Sequence, residues 1–313
     1  MLTIGVDVGG TSVRAGVVTS DGTVLELRRT PTRRATVDLD AAVTGVVTDL
    51  VRKYEVASVG LAVAGFVSED LRLVRFAPHL PWRGDAVADR IAERVGLPVV
   101  LDHDANAAAL AEQRHGAAQD ARVAVLVALG TGIGGALVVD GEVFRGAHGV
   151  APELGHLRLV PQGRPCPCGK RGCWERYCSG TALVDVATEL LVDAPDTPWA
   201  ERLRADPSVL TGIEVARAAA DGDPIAVEAV AQLARWLGEG LALVADVYDP
   251  DVVVLAGGVS GSASLYLDDA VEHYASVVTG AGHRPLAQVR LAHYGDEAAI
   301  VGAAELARHH APG

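Results

Sequence analysis

The sequence predicts an α/β fold of two domains, and three observations predict it. At 313 residues, the chain is longer than one ordinary hydrophobic core supports. Half of its residues are hydrophobic, which excludes disorder as a description of the whole chain. Strand-like and helix-like patterns alternate along it, and one theme of three strands occurs twice. We therefore expect a duplicated architecture.

The first copy of this theme opens the chain. Residues 2–28 predict the strands LTIGVDV, VRAGVVT and TVLEL, joined by a Gly-rich turn and by the turn Asp21-Gly22. Helix and strand patterns then alternate as a helix over 38–54, a strand over 58–65, an irregular Pro/Trp segment, a helix near 85–95, the strand LPVVLD and a helix from Asp104 to near Gly116.

The second copy begins with the strand RVAVLVALG and continues with GGALVVD, the turn Asp140-Gly141 and EVFRG. Helical patterns dominate after it, with one buried strand over 251–258, a predicted surface loop over 192–210 and a last helix from about Glu297. The last helix is expected to return to the first half. The predicted domains are a small one, 1–117 with 297–313, and a large one, 118–296.

Composition limits the partners and the location of the protein. The formal net charge of −13 argues against a nucleic-acid or anionic-membrane surface, because those partners need a basic face. The first residues, MLTIGVDVGG, lack the features of a signal peptide, and no run of apolar residues is long enough to span a bilayer. All four cysteines lie between Cys166 and Cys178, which indicates a metal site and not a spread disulfide framework. We expect a soluble, cytoplasmic protein.

The first Gly-rich turn is a candidate phosphate loop. It contains Asp7, Gly9, Gly10 and Thr11, and glycines allow backbone N–H groups to approach a phosphate closely. Asp7 is placed to hold a water bound to Mg²⁺, and Thr11 to bond a phosphoryl oxygen. An ordinary hairpin turn explains the same pattern.

The second Gly-rich turn, GTGIGG, contains Gly130, Thr131 and Gly132 and formally matches the dinucleotide pattern G-x-G-x-x-G. That interpretation requires a following helix, whereas a hairpin follows here, and the chain has no P-loop motif. Two phosphate-type turns, each in a hairpin at the start of one half, are typical of the actin-like ATPase (hexokinase/RNase H-like) fold, which clamps ATP in an interdomain cleft. The strand ending at Gly257 and Gly258 could accept a flat ring, or could simply be a buried strand with a tight exit.

Asp104 stands where a strand gives way to an Ala-rich helix. Aspartate at such a position is often a helix N-cap. A carboxylate there would also lie at the mouth of the cleft, and the two roles are compatible.

The cysteines form the most specific motif. His156 precedes Cys166 by nine intervening residues, and Cys168 and Cys173 follow in CPCGKRGCWE. One imidazole and three thiolates fit a closed tetrahedral zinc site. From spacing alone, a Cys₄ site with Cys178 in place of His156 stays open, as do four free thiols. A zinc-ribbon nucleic-acid module is also conceivable, because basic residues surround the cysteines, but a solvated rim is favoured; they are Arg164, Lys170, Arg171 and Arg176.

By these motifs the chain resembles the bacterial ROK family (repressors, open reading frames and kinases), and within it the actinobacterial glucokinases. The resemblance covers nearly the whole chain and rests on DVGGT, GLAVAGFV, VGLPVV, DANAAA, LGTGIGG, ELGH, CPCGKRGCWE and LAGGVS. It implies an enzyme that phosphorylates the 6-hydroxyl of glucose with ATP, with Mg²⁺ and a structural Zn²⁺, as a homodimer or homotetramer. A kinase for another hexose or an N-acetylhexosamine (fructose, mannose, allose, N-acetylmannosamine), polyphosphate as donor, and a non-enzymatic sugar sensor are alternatives.

The resemblance also implies roles for individual residues. Asp104 matches the catalytic base, which contacts the sugar and takes its hydroxyl proton. The other residues implied to contact the sugar are Gly65, His103, Glu153, His156 and Glu175. Those implied to bind ATP are Asp7, Gly9, Gly10, Thr11, Gly130, Thr131, Gly132, Gly257 and Gly258. The implied zinc ligands are His156, Cys166, Cys168 and Cys173, which favours His156 over Cys178.

The chain departs from the family pattern at two positions. His103 replaces an Asn that bonds the sugar, and imidazole is bulkier and titratable. Pro152 replaces a small residue and stiffens the approach to Glu153. A ROK repressor would carry an N-terminal winged helix-turn-helix, whereas the phosphate loop begins here at Asp7, so we expect a kinase.

Overall fold

The computed structural model describes residues 1–192 and 197–310, and it divides into two compact units. Unit one comprises Met1–Leu126, Ala136–Pro152 and Ala292–Gly313, and unit two comprises Val127–Gly135 and Glu153–Leu291. The domain boundaries expected from the sequence, 1–117 with 297–313 and 118–296, stay a prediction.

The elements from the start of the chain are β1 Leu2–Val8, β2 Ser12–Val18, β3 Val24–Pro31, α1 Thr36–Val51, β4 Val56–Val63, β5 Phe66–Val67, β6 Val74–Phe76, β7 Arg83–Asp85, α2 Val87–Val95, β8 Val99–His103 and α3 Asp104–His115. Unit one is built on a sheet with strand order β3-β2-β1-β4-β8. Strand β1 pairs antiparallel with β2 and parallel with β4, and β4 pairs parallel with β8. The predicted meander and the helices and strands after it are confirmed.

A second sheet contains β9 Val123–Leu129, β10 Ile133–Val139, β11 Glu142–Val143, β12 Val252–Ala256 and β13 Gln288–Leu291. Its strand order, β11-β10-β9-β12-β13, repeats that of the first sheet. In each sheet the first strand of the three-strand pattern lies between the second strand and a strand from later in the chain, which confirms the predicted duplication. The helices after the cysteines are α4 Gly180–Leu191, α5 Pro198–Ala205, α6 Gly212–Ala220, α7 Pro224–Tyr248, α8 Leu267–Val277 and α9 Ala298–His309.

Short 3₁₀ helices lie between these elements, at Leu154–His156, Trp174–Arg176, Pro207–Val209, Gly258–Leu265 and Gly295–Glu297. Within 1–192 and 197–310, no helix combines the length and the apolar character that crossing a membrane would require.

Two sequence expectations about local structure are wrong. The irregular Pro/Trp segment contains a small sheet, β5-β6-β7, whose strands of two or three residues are too short to show a period of two. The loop expected over 192–210 contains α5, where the Thr197 hydroxyl accepts from the Ala200 N–H (3.1 Å) and Pro198 occupies the first turn. Proline there is therefore a helix-start signal. Residues 193–196 of that expected loop lie outside the described residues.

Helix α9 lies in backbone contact with the sheet of unit one. A Cβ on Gly60 of β4 would overlap the carbonyl of Ala303, and one on Gly5 of β1 would overlap the carbonyl of Ile300. The absence of side chains at these glycines lets the last helix pack directly on the central strands, as the sequence predicted for its return.

Substituting Gly60 by Ala is expected to destabilise the protein by about 1–3 kcal/mol or more, because the methyl group forces α9 away from β4. Thermal unfolding measures this effect. The matched control is Gly45→Ala in α1, where a Cβ meets open space and the substitution should stabilise by about 1 kcal/mol. Equal melting temperatures for the two variants would contradict the close packing of α9.

Candidate active site

The first Gly-rich turn joins β1 to β2 and is held in place by hydrogen bonds to its backbone. The Gly9 N–H donates to the Ser12 carbonyl (3.1 Å), and the Thr32 hydroxyl donates to the Gly9 carbonyl (2.6 Å). The Thr32 N–H also donates to the Thr11 carbonyl (3.1 Å). Gly10 and Thr11 are exposed. The turn is thus fixed on its inner side and free to bind a ligand on its outer side.

Asp7, at the end of β1, is bound to a cation. Arg14 of β2 donates to one carboxylate oxygen of Asp7 through Nε (3.1 Å) and Nη2 (2.6 Å). Burial raises the pKa of Asp7, the Arg14 hydrogen bond and charge oppose this, and the carboxylates of Asp104 and Asp296 raise that pKa further. Asp7, Asp104 and Asp296 are therefore close enough to interact electrostatically within unit one.

Asp104 is the first residue of α3, and its side chain is 39% exposed. Its Oδ1 accepts from the N–H of Ala105 (2.8 Å), and Nε2 of His103 lies 3.2 Å from the same oxygen. The capping position of α3 is His103, whose side chain makes no capping bond. The Asp104 carboxylate thus bonds one N–H of the first turn through Oδ1, from the first helical position and not from the capping position. Its other oxygen stays available for chemistry.

Behind Asp104 lies a network that the sequence analysis missed. Asp102 is almost fully buried, and its Oδ2 accepts from Nε (2.9 Å) and Nη2 (2.6 Å) of Arg145. Its Oδ1 accepts from the His103 N–H (2.7 Å) and from Nδ2 of Asn106 (2.8 Å). A charged residue within a buried strand requires such partners. An aspartate in a predicted buried strand was therefore a sequence signal that a buried partner exists, although it does not identify Arg145 as that partner.

Gly65 lies in the turn between β4 and β5. Its N–H donates to the Val63 carbonyl (2.8 Å), and a Cβ there would crowd the carbonyl of Phe76 in the small sheet and Ala77 after it. Only glycine fits without displacing this backbone, so the predicted sugar-facing position presents main-chain atoms.

The predicted metal ligands lie together in unit two. The ligand atoms of His156, Cys166, Cys168 and Cys173 are all within 4.8 Å of one another. Sγ of Cys166 is 3.8 Å from Nδ1 of His156, and the sulfurs of Cys168 and Cys173 are 3.6 Å apart. Tetrahedral ligands about 2.3 Å from a zinc ion lie about 3.7 Å apart. The four residues therefore fit zinc.

Cys178 lies outside this cluster. Its thiol is fully buried, its sulfur is 3.9 Å from the Leu233 carbonyl oxygen, and burial raises the pKa of that thiol well above its ordinary value. A buried neutral thiol packed in this way is a structural side chain. The Cys₄ alternative with Cys178 is not supported.

Glu153 and Glu175 flank the cluster on either side of His156. Oε2 of Glu153 is 4.0 Å from Nε2 of His156, and Oε1 of Glu175 is 3.4 Å from Nδ1. The other oxygen of Glu175 lies against Gly132, where a Cβ would meet it. Unit two thus brings the predicted sugar residues Glu153, His156 and Glu175 next to the second Gly-rich turn.

The basic residues near the cysteines bind protein atoms. Arg164 and Arg176 form ion pairs with Glu189 and Asp185, the second at 2.7 Å. Lys170 donates to the His156 carbonyl (3.1 Å). These side chains stabilise the loop around the cluster, in agreement with a rim and not with a nucleic-acid surface.

The second Gly-rich turn borders a cavity within unit two. The Gly130 N–H donates to the Gly132 carbonyl (3.0 Å), and the Gly180 N–H donates to the Gly130 carbonyl (2.8 Å). The cavity has a volume of about 600 Å³, within the usual range for ligand sites. Among its lining residues are the predicted Gly130, Thr131 and Gly258.

Gly257 lies next to this cavity in a conformation that requires glycine. Its φ is +86°, and a Cβ would overlap the backbone of Leu129. This allows β12 to end close to Leu129, which precedes the second Gly-rich turn.

Several residues that line the cavity were not predicted from the sequence. They include Thr181 at the start of α4, Thr211 and Ile213 at the start of α6, and Tyr266. A signal existed for α6, because Thr211 followed three residues later by Glu214 is a capping-box pattern. In the structure the Thr211 hydroxyl accepts from the Glu214 N–H (3.2 Å).

Comparison with known proteins defines the class to which these features belong. The chain belongs to the ROK family, whose model matches residues 3–310. It is 40% identical over 315 residues to a glucokinase of Streptomyces coelicolor, covering 99% of each chain. It also resembles the crystal structure of a ROK family glucokinase from Streptomyces griseus in complex with glucose and AMPPNP, at 41% identity and a TM-score of 0.86, covering 99% of this chain and 100% of that one.

A ROK hexokinase from Thermus thermophilus is similar as well, at 35% identity and a TM-score of 0.83, covering 99% and 98% of the two chains. These likenesses confirm the predicted family and the α/β fold of the actin-like ATPase class.

The metal cluster leads to a prediction about stoichiometry. Purified protein should contain about one zinc per chain, and Cys168→Ser should lose it, because a hydroxyl is a far poorer zinc ligand than a thiolate. Elemental analysis after desalting measures the metal. The control is Cys178→Ser, which should keep the zinc. Zinc loss from the Cys178 variant but not from a His156→Ala variant would contradict the ligand set.

Proposed function

We propose that this chain is a glucokinase, which transfers the γ-phosphoryl group of ATP to the 6-hydroxyl of glucose. The observation that carries the proposal is the likeness, over nearly the full length of both chains, to a glucokinase whose crystal structure contains glucose and AMPPNP. AMPPNP is an analogue of ATP, so that protein binds both substrate types that the proposal requires. The identity of 40% to a second glucokinase supports it.

The nucleotide is assigned to the two Gly-rich turns and the cavity. In unit two, the adenosine would lie in the cavity beside Gly257 and Gly258, with Gly130, Thr131 and Gly132 at the phosphates. In unit one, the exposed Gly10 and Thr11, next to Gly9, would meet phosphoryl oxygens. Bound magnesium would supply positive charge to the phosphates, and the Asp7 carboxylate would hold it through a bound water.

Asp104 is assigned as the general base. Phosphoryl transfer depends mainly on positioning and on charge neutralisation. Oδ1 of Asp104 is already bonded to Ala105 and lies next to His103, so Oδ2 is the oxygen expected to take the proton of the attacking hydroxyl. A partly exposed carboxylate at the end of a rigid strand can hold that hydroxyl in one position.

The residues proposed to contact the sugar are Gly65, His103, Glu153, His156 and Glu175. Zinc supplies no reaction step in this proposal, because four protein ligands leave no open position. His156 turns Nδ1 toward the sulfurs and Nε2 toward Glu153. One nitrogen would therefore bind the metal while the other contacts a hydroxyl. The metal would fix the loop that carries both Glu153 and Glu175.

The proposal includes a cytoplasmic location and a homodimer or homotetramer. It also commits to glucose among hexoses and to ATP as donor. A panel of glucose, mannose, fructose, allose and N-acetylmannosamine, each with ATP and with polyphosphate, tests it through sugar-phosphate formation. Glucose with ATP should give the highest kcat/KM. A higher kcat/KM with another sugar would make that sugar the proposed substrate. Absence of sugar-phosphate formation with every pair of sugar and donor would overturn the kinase assignment.

Asp104→Asn is expected to lower kcat by about 10²-fold or more, because the amide keeps the shape of the side chain but cannot take a proton. Steady-state kinetics with glucose measure kcat, and thermal unfolding shows whether the fold is retained. The control is Asp49→Asn on exposed α1, which should leave kcat unchanged. Activity of the Asp104 variant within a few-fold of the parent would leave Asp104 without a role as base.

Gly257→Ala is expected to raise the KM for ATP about tenfold or more. An alanine there is forced into a conformation that costs about 1–3 kcal/mol, and it displaces Leu129, the residue before the second Gly-rich turn. Gly261→Ala, where a Cβ meets open space, is the comparison and should change the KM for ATP little. Similar KM values for the two variants would argue against the nucleotide site assigned here.

A further inference from the structure

The two oxygens of the Asp104 carboxylate differ in their surroundings. Oδ1 accepts from the Ala105 N–H at 2.8 Å and lies 3.2 Å from Nε2 of His103. Oδ2 accepts no hydrogen bond from any residue in 1–192 or 197–310. A carboxylate bonded through one oxygen only has its rotation restricted, and the second oxygen then points in one direction.

His103 is itself held in place by the backbone behind it. It is the last residue of β8, in register with Val63 of the parallel strand β4. Its N–H donates to Oδ1 of the buried Asp102 (2.7 Å), and Arg145 neutralises Asp102 through two hydrogen bonds. The imidazole is three-quarters buried. Its Nε2 is therefore presented to Asp104 from a rigid strand end.

We propose that His103 is a positioning residue for the reaction: Nε2–H donates to Oδ1 of Asp104 and leaves Oδ2 as the acceptor for the substrate proton. The inference rests on the proposed role of Asp104 as base and deepens it. A general base acts only when its acceptor atom reaches the hydroxyl with the right direction, so fixing the carboxylate raises kcat without adding a contact to ATP.

The test compares side chains that differ in where they place a donor. In His103→Gln, the amide nitrogen can occupy nearly the position of Nε2 and does not titrate. In His103→Asn the amide is shorter, and in His103→Ala the donor is removed. We expect kcat at pH 8 to fall about 10–10²-fold in the Asn and Ala variants and to stay within about threefold in the Gln variant. The KM for ATP should stay within about twofold in all three. His283→Gln, at an exposed site, is the control.

Unchanged kcat in both the Asn and Ala variants would overturn the proposal, as would a Gln variant as slow as the Ala variant. Failure of the proposed function is a separate result, because the parent itself would then not phosphorylate glucose and Asp104→Asn would have no effect.

Discussion

The buried ion pair of Asp102 and Arg145 is the interaction on which the end of unit one that carries His103 and Asp104 depends. A carboxylate in a buried strand is strongly unfavourable without a partner, and removing one member of such a pair typically costs about 3–5 kcal/mol. Arg145 follows β11, 43 residues from Asp102, and its carbonyl accepts from the Ala151 N–H (3.2 Å). The pair therefore fixes two segments at once: the end of β8, which carries His103 and Asp104, and the segment 136–152, which leads to Glu153.

This pair illustrates why the sequence predicted the elements of the fold better than their contacts. The strands β1, β2, β9 and β10 were predictable because each has a local pattern of apolar residues bounded by a Gly-rich or Asp-Gly turn. Such patterns depend on neighbours in the chain. The partner of Asp102 depends on how distant segments pack, and no local pattern encodes that. Helix α5 was missed for another reason, since Pro and Asp occur both in loops and in the first turn of helices.

The candidate site shows the same division. The Gly-rich turns and the cysteine cluster are local motifs, and the structure brings the cysteines together with His156 as their spacing suggested. Spacing could not decide between His156 and Cys178, because both lie within reach of the cluster in the chain. Tertiary position separates them: the ligand atom of His156 lies within 4.8 Å of the three sulfurs, whereas Cys178 packs beside the Leu233 carbonyl outside that group. The walls of the cavity, such as Thr181 and Tyr266, come from helices whose positions are set only by tertiary packing.

A net charge of −13 makes the proposed binding of ATP a question of local electrostatics. Long-range attraction cannot supply it, because an acidic protein repels a polyanion and salt screens charges beyond about 10 Å. The turns instead offer backbone N–H groups, which carry partial positive charge, need no counter-ion and are already oriented. Arg14 neutralises Asp7 beside the first turn, so the nearest negative charge there is compensated. Because such dipoles act at short range, they favour a phosphate chain seated on the turns over anions passing at a distance. The same reasoning explains why glycine is needed at Gly257: a side chain there would displace the backbone of Leu129, immediately before the second turn, and so disturb the dipoles that replace lysine or arginine.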